Sequence, residues 1–281
     1  MEPLTAHSDL LIIIFAFIFG SVIGSFLNVC IYRLPRGESI VFSPSHCTSC
    51  GTRIKYYNNI PILSYILLRG RCGTCDKRIS PIYPIVEILS GLISASLVWK
   101  FGLTIQTPFY AIFLFALIVV TFIDLEHQII PNVITLPGII VGLIYSALIT
   151  DWGSAQTTLS FLHFDLWSII RILNEVPIFD SLFGIILGGG ILFLIGSLYE
   201  IIRKREGMGL GDVKLLAMIG AFLGWRSVLF VALVSSFIGT IVGISIVLYK
   251  KGDLKYAIPF GPFLSLAAAI YCFTGGFGFR F

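Results

Sequence analysis

Two carboxylates and four thiols are the groups in this chain whose types and spacing can do chemistry. Asp212 follows two glycines in Gly209-Leu210-Gly211-Asp212 and opens an apolar segment, Val213 to Trp225. Asp124 closes another apolar run, Phe109 to Ile123. An ionisable side chain beside a membrane is costly and marks a functional site by default. If the two acids meet, they make a pair that shares one proton and activates water. One member takes a proton from the water while its protonated partner polarises a carbonyl, and the apparent pKa values belong to the pair. Each acid also has a plainer reading. Asp212 suits a helix N-cap. Asp124 suits an interfacial acid at a helix end, although an acid at a helix C-terminus opposes the macrodipole. Gly207, Gly209 and Gly211 are expected to supply positive φ and close backbone approach beside Asp212, with Lys214 just beyond it. Glu126 and His127 read as loop solvation, and no Ser-His-Asp arrangement or HExxH stands out.

The thiols fall in two CxxC pairs, Cys47-Thr48-Ser49-Cys50 and Cys72-Gly73-Thr74-Cys75, with 21 residues between them. The spacing sits one residue beyond the usual one for a zinc site of two knuckles, which is no obstacle, and Gly51 and Gly73 suit the tight turns. A reducing compartment argues against disulfides, and no βαβ pattern supports a redox pair. Four thiolates fill a tetrahedral ion and leave no position for water, so the expected zinc is structural. His46 reads as a bystander, and Cys30 and Cys272 as small apolar residues within spans.

The elements that position these groups are membrane spans. The 281 residues are 57% hydrophobic and 12% charged, with mean hydropathy +0.96. A soluble domain carries about a quarter charged residues. Apolar runs of spanning length recur, which predicts an all-α polytopic membrane protein of about eight helices. The candidate spans are 10–31, 84–100, 108–124, 130–149, 181–202, 212–225, 227–249 and 257–276. No Lys or Arg precedes Leu10, so the first span reads as retained and not as a cleaved secretory signal. With the N-terminus outside, fifteen of the nineteen basic residues fall in cytoplasmic loops, leaving Lys100, Arg171, Arg226 and Arg280. The net charge of +4 is then a topology signal and needs no nucleic-acid partner. Asp124 and Asp212 fall at the same cytoplasmic boundary, a convergence the loop charges did not impose.

The reading divides the chain into a first span (1–31), a cytoplasmic zinc-binding loop domain (32–83) and a transmembrane domain (84–281). An external loop at 150–180 carries Trp152, Phe161, Phe164 and Trp167 and is expected on the membrane surface. Gly20, Gly24 and Ser25 let helices approach closely. Asn28 suits either substrate backbone or an interhelical hydrogen bond. Glu87 suits either a catalytic role or a helix N-terminus. Pro259-Phe260-Gly261-Pro262 is expected to break the eighth span near its start and to shape a groove.

Taken together, these segments resemble the bacterial type IV prepilin peptidases, a branch of the GxGD membrane aspartyl proteases. The matching residues are Gly24-Ser25-Phe26-Leu27-Asn28-Val29, Tyr32 to Ser39, both CxxC pairs and Tyr83-Pro84-Ile85-Val86-Glu87. They continue in Phe122-Ile123-Asp124, Ile130-Pro131, Gly207 to Lys214 and Pro259 to Leu264. The resemblance covers nearly all of the chain except 150–180. It implies a bifunctional inner-membrane enzyme with its active site at the cytoplasmic face. Such an enzyme cuts the basic leader from type IV prepilins or type II secretion pseudopilins. It then N-methylates the new N-terminal residue with S-adenosylmethionine. By motif, Asp124 and Asp212 are the catalytic pair, loop 32–83 is the domain associated with methylation, and Gly70 falls in its sensitive stretch. The chain departs from the family at Ile82, where Arg is common, and at Asn132, where Asp is common. Two alternatives remain: a peptidase without methyl transfer, which in archaea generally lacks the cysteine loop, and a proton-coupled transporter. Transporters carry inverted repeats and acids nearer the midplane. The particular pilin and the oligomeric state are not legible in the sequence.

Overall fold

The computed structural model describes residues 6–41, 45–47, 49–152, 176–203, 209–249 and 259–275. Among them the chain is helical, with two isolated β-bridges and no strand. In chain order the α-helices are α1 (Ala6–Arg33), α2 (Leu63–Leu67), α3 (Ile82–Phe101), α4 (Gln106–His127), α5 (Asn132–Ile149), α6 (Pro177–Arg203), α7 (Leu210–Tyr249) and α8 (Gly261–Thr274). Among the described residues five stretches are long and apolar enough to cross a membrane: Leu10–Arg36, Ile82–Phe101, Gln106–His127, Asn132–Ile149 and Leu210–Ile246. Shorter apolar helices run over Pro177–Gly190 and Gly261–Thr274. The expected class holds. The sixth and seventh expected spans, 212–225 and 227–249, correspond to the two helical halves that join in α7 at Gly224.

Helix α7 bends at Gly224, whose φ of 78° and ψ of 176° break the helical backbone. The break exposes the N-terminus of the second half, and Asp180 from the start of α6 caps it. The Trp225 N–H donates to Asp180 Oδ1 at 2.9 Å. A side chain at 224 would overlap the Asp180 carboxylate, so both the dihedral and the contact require glycine. The first half of α7, which begins beside Asp212, thus has a defined far end.

The described chain forms two compact units, Met1–Ile123 and Asp124–Phe281. In the first unit α1 and α3 pack along small residues: a Cβ on Gly24 would lie 2.8 Å from Glu87 Cα, and Gly91 meets Ser21 and Phe17. Helix association in lipid depends on such close backbone approach. This contact groups the first span with α3 and not with the helices of the second unit. In the second unit α7 is central, packing on α5, α6 and α8. Its crossing with α6 brings Gly184 and Gly220 backbone to backbone. Outward side chains such as Phe15, Ile18 and Phe19 on α1, and Leu233 and Phe237 on α7, stay exposed as lipid-facing residues do.

The expected surface loop 150–180 lies mostly outside the described residues, with Phe161, Phe164 and Trp167 among those not described. Its two ends meet, since the Ile178 N–H donates to Thr150 Oγ1 at 3.2 Å.

Candidate active site and metal centre

Both acids sit at helix ends in the second unit. Asp124 is in the last turn of α4, buried at 5% exposure, and its Oδ2 accepts the Gly261 N–H at 2.9 Å. Gly261 opens α8, so the break expected at Pro259 to Pro262 aims a backbone donor at a carboxylate. Asp212 is in the first turn of α7. Its carboxylate accepts no hydrogen bond among the described residues, so the N-cap alternative has no cap bond behind it. The two carboxyls are close enough to interact electrostatically. One acid is held by a fixed donor while the other is left for water.

The glycines before Asp212 act differently from expectation. Neither Gly209 nor Gly211 has positive φ. Gly211 is required by crowding, because a Cβ there would lie 2.8 Å from Ile130 Cβ. At Gly209 the nearest group to such a Cβ is Asp212 Oδ2, at an ordinary 3.6 Å. Gly207 lies outside the described residues. Lys214 turns away from the acid two positions before it, and its Nζ donates to Asn132 Oδ1 at 2.8 Å, at the start of α5. Glu126 is exposed. His127 keeps Nε2 buried without a hydrogen-bond partner among the described residues.

The four cysteines gather in the first unit. Their sulfurs all lie within 4.8 Å of one another, with Cys47 and Cys75 at 3.9 Å. Tetrahedral zinc at about 2.3 Å per bond needs sulfurs roughly 3.8 Å apart, so the donor set fits. Each pair sits on the same kind of turn. The Cys47 and Cys72 N–H groups donate to Thr52 O and Lys77 O at 2.9 Å, and their carbonyls accept from Gly51 and Asp76. The left-handed residue four places after the first cysteine is Gly51 (φ 69°) in one turn and Asp76 (φ 56°) in the other. The expectation for Gly51 holds. Gly73 is not the second left-handed position, because Asp76 adopts it, as Asp tolerates, and pairs with Arg71 at 2.7 Å.

The thiols differ in charge preference. Hydrogen bonds from Thr52, whose hydroxyl is 3.4 Å away, push Cys50 down to about 6. The backbone of Cys75 and Thr74 lowers Cys72. At Cys75 the Lys77 N–H favours thiolate, but burial and the neighbouring sulfurs outweigh it and push the thiol up to about 11. Four negative charges do not share this space unaided. A dication removes the conflict.

Asn28 makes the interhelical bond, its Nδ2 donating to Tyr83 O at 3.0 Å. Glu87 is buried past the first turn of α3, and its Oε2 accepts the Ile62 N–H at 2.7 Å. Ile62 has φ 62°, a conformation costly for a β-branched residue, so Glu87 holds a strained turn of the loop. Gly70 has φ 67° and abuts the Tyr65 ring. It lines an open cavity of about 590 Å³ with Tyr65, Arg69, Arg71 and Arg78.

Sequence reasoning missed the Gly261 N–H, Ile130, the Asn132 partner of Lys214, and Asp180. Gly261 lay in the break at Pro259 to Pro262, and Ile130 and Asn132 in the stretch that resembles the family, but nothing there signalled their contacts.

Residues 18–101 match the Bacterial Peptidase A24 N-terminal domain, and residues 111–244 match the Type IV leader peptidase family. A prepilin leader peptidase/N-methyltransferase of Pseudomonas putida is 33% identical, covering 92% of this chain and 90% of that protein. The protein of the same name from Pseudomonas aeruginosa is 31% identical over 98% and 94%. That of Legionella pneumophila is 35% identical over 92% and 90%. No solved structure is a significant match.

Proposed function

The chain belongs to the prepilin leader peptidase/N-methyltransferase family, and on that footing we propose that Asp124 and Asp212 are the pair that cuts its substrate. It is a multi-pass membrane enzyme that cleaves the leader of type IV prepilins and N-methylates the residue it uncovers. The observation that carries the assignment of the pair is that two acids from separate helix ends interact, one held by the Gly261 N–H and one with no backbone partner among the described residues. Water between them loses a proton to the ionised carboxylate as it attacks the scissile carbonyl. The protonated carboxyl donates to that carbonyl oxygen and stabilises the developing charge. Protonation of the leaving nitrogen completes the cut. The Gly261 N–H keeps Asp124 in one orientation through these exchanges.

The active site faces the cytoplasm of a bacterial inner membrane, with the N-terminus outside; the concentration of basic residues in alternate loops supports this orientation. The substrates are prepilins or pseudopilins, whose basic leader stays with the cytosolic loops while the apolar part enters between spans. Extended backbone in lipid costs several kcal/mol per unsatisfied group. The junction is therefore unwound beside Gly209 to Gly211 and the start of α8, where polar backbone is available.

Cys47, Cys50, Cys72 and Cys75 hold one structural zinc. When bound, the ion neutralises four thiolates and cross-links the two turns, with no open position for catalysis. Methyl transfer belongs to the 32–83 loop, with S-adenosylmethionine as donor. The cavity beside Gly70 has the size of a small-molecule site, with an aromatic ring and cationic partners for a carboxylate. Glu87 supports that activity by holding the loop to α3, and Asn28 by joining α1 to α3.

Mass spectrometry of a co-expressed prepilin tests the whole reading, because cleavage and a methyl increment are separate mass changes. Either change missing from the wild-type product overturns the corresponding half. A cleaved but unmethylated product would favour the peptidase-only alternative.

A further inference from the structure

Ile130 lies in the short connection between α4 and α5, six residues after Asp124. A Cβ on Gly211 would come within 2.8 Å of Ile130 Cβ and 3.3 Å of its Cγ1. A Cβ on Gly261 would come within 3.3 Å of Ile130 Cδ1 and 2.7 Å of Asp124 Oδ2. One branched side chain thus fills the space two glycines leave open. One glycine precedes Asp212 and the other donates its N–H to Asp124. The connection has little freedom to withdraw. Gln128, at its start, has φ 55° with its N–H on Asp124 O at 2.9 Å, and Asn132, at its end, accepts from Lys214 at 2.8 Å.

We propose that Ile130 is a positioning residue of the aspartic pair: wedged between Gly211 and Gly261, it sets the spacing of the backbone segments that carry Asp212 and hold Asp124. This rests on the reading of those acids as the catalytic pair. Ile130 carries no group that can exchange a proton. It acts through Gly211 on one acid and through the Gly261 N–H on the other. Its Cβ and Cγ1 make the tightest approach to Gly211 and its Cδ1 the approach to Gly261, so shortening the side chain in steps weakens the second contact before the first.

The test uses the full-length purified enzyme, a purified type IV prepilin for cleavage, and the already cleaved pilin for methyl transfer. Ile130→Ala is expected to lower kcat for cleavage about tenfold or more with KM within about threefold, since small displacements of catalytic groups carry large rate penalties. Ile130→Val, which loses only Cδ1, falls between. Gly211→Ala alone also loses cleavage, because its methyl group overlaps Ile130. Pairing Gly211→Ala with Ile130→Gly, which removes the Cβ that the added methyl would meet at 2.8 Å, relieves the overlap, and cleavage in this double variant exceeds that of either single variant. Methyl transfer to the cleaved pilin stays within about twofold throughout, which general unfolding would not allow.

The proposal is overturned if Ile130→Ala keeps kcat within about twofold of wild type, or if the double variant shows the product of the two single losses. It is also overturned if methyl transfer falls in step with cleavage. Should Ile130→Ala not fold, Ile130→Val and Ile130→Leu carry the same criteria. Asp124→Asn and Asp212→Asn run alongside. Cleavage retained in both would overturn the catalytic pair itself and this inference with it. Loss in both with a normal Ile130→Ala would overturn only the inference.

Discussion

The cysteine centre and the aspartic pair are built in opposite ways. Each half of the cysteine centre is a local turn closed by backbone hydrogen bonds within five or six residues, and only then do the halves meet. The aspartic pair has no local frame. Its donor to Asp124 comes from a residue 137 positions away, and the residue packed against Gly211 belongs to a third segment. A locally framed site tolerates strain elsewhere in the membrane. A site made of helix ends depends on every contact that sets those ends.

The strongest test of this contrast is to remove each chemistry separately. Asp124→Asn or Asp212→Asn is expected to reduce leader cleavage about a thousandfold or more, at least ~4 kcal/mol of transition-state stabilisation. Zinc content and methylation of an already cleaved pilin should stay near wild type, since those belong to the other unit. A mass-resolved cleavage assay checks this. Substantial turnover in both variants would remove the pair from the mechanism.

Changing Cys47 and Cys50, or Cys72 and Cys75, to Ser makes the converse experiment. Purified wild type should carry about one zinc, and either double variant none. Methylation is expected to fall at least tenfold (~1.4 kcal/mol) while part of the cleavage remains. Cleavage lost as completely as in the aspartate variants would mean that the proteolytic site also depends on the centre.

Legibility followed the same contrast. The two CxxC pairs announced the four-cysteine cluster because ligand types and spacing are written within a few residues, and even the tight turn at Gly51 was readable. Asp76 was not, since a left-handed non-glycine is decided by the turn's closure and not by composition. The acids were readable as residues because charge at an apolar boundary is conspicuous. Their supports were not. Ile130 is one apolar residue among many, and only the fold shows it opposite two glycines. The helical class followed from apolar run lengths, and the break of α7 at Gly224 falls beside the expected boundary between the sixth and seventh spans, although hydropathy does not show what caps it. Asp180 read as one of several acids in an external loop, yet it caps that break.

Glycine substitutions sharpen the contrast within the second unit. Gly211→Val forces methyl groups onto Ile130 and should cost about 1–3 kcal/mol of stability along with cleavage. Gly209→Val has ordinary van der Waals room and no positive φ, so the fold should hold while branches beside Asp212 Oδ2 impair the approach of substrate. Thermal melts of the detergent-solubilised variants, read with KM and kcat, separate the two. Equal melting points would show that Ile130 yields at no cost. In the first unit Glu87→Gln keeps an acceptor for the Ile62 N–H but loses the charge. About 1 kcal/mol is expected, seen as faster proteolysis within residues 32–83.

The smallest expected effect belongs to Lys214, and it tests whether nearness in sequence or in the fold assigns a role. Two positions along a helix is about 200° around it, so Lys214 and Asp212 do not share a face. The ammonium donates to Asn132, 82 residues away, in an exposed pair. Such a bond contributes about 0.5–1.5 kcal/mol, and less where water competes. Lys214→Met removes the donor while keeping the length and apolar body of the side chain. Cleavage is then expected to stay within about threefold, with a melting point lower by a degree or two. Asn132→Ala should match it, and the double variant should lose no more than either single change, because both remove one bond. A loss of cleavage in Lys214→Met comparable to the aspartate variants, with Asn132→Ala unaffected, would instead assign the ammonium to the reacting groups and make the turn before α7 as locally organised as the cysteine turns.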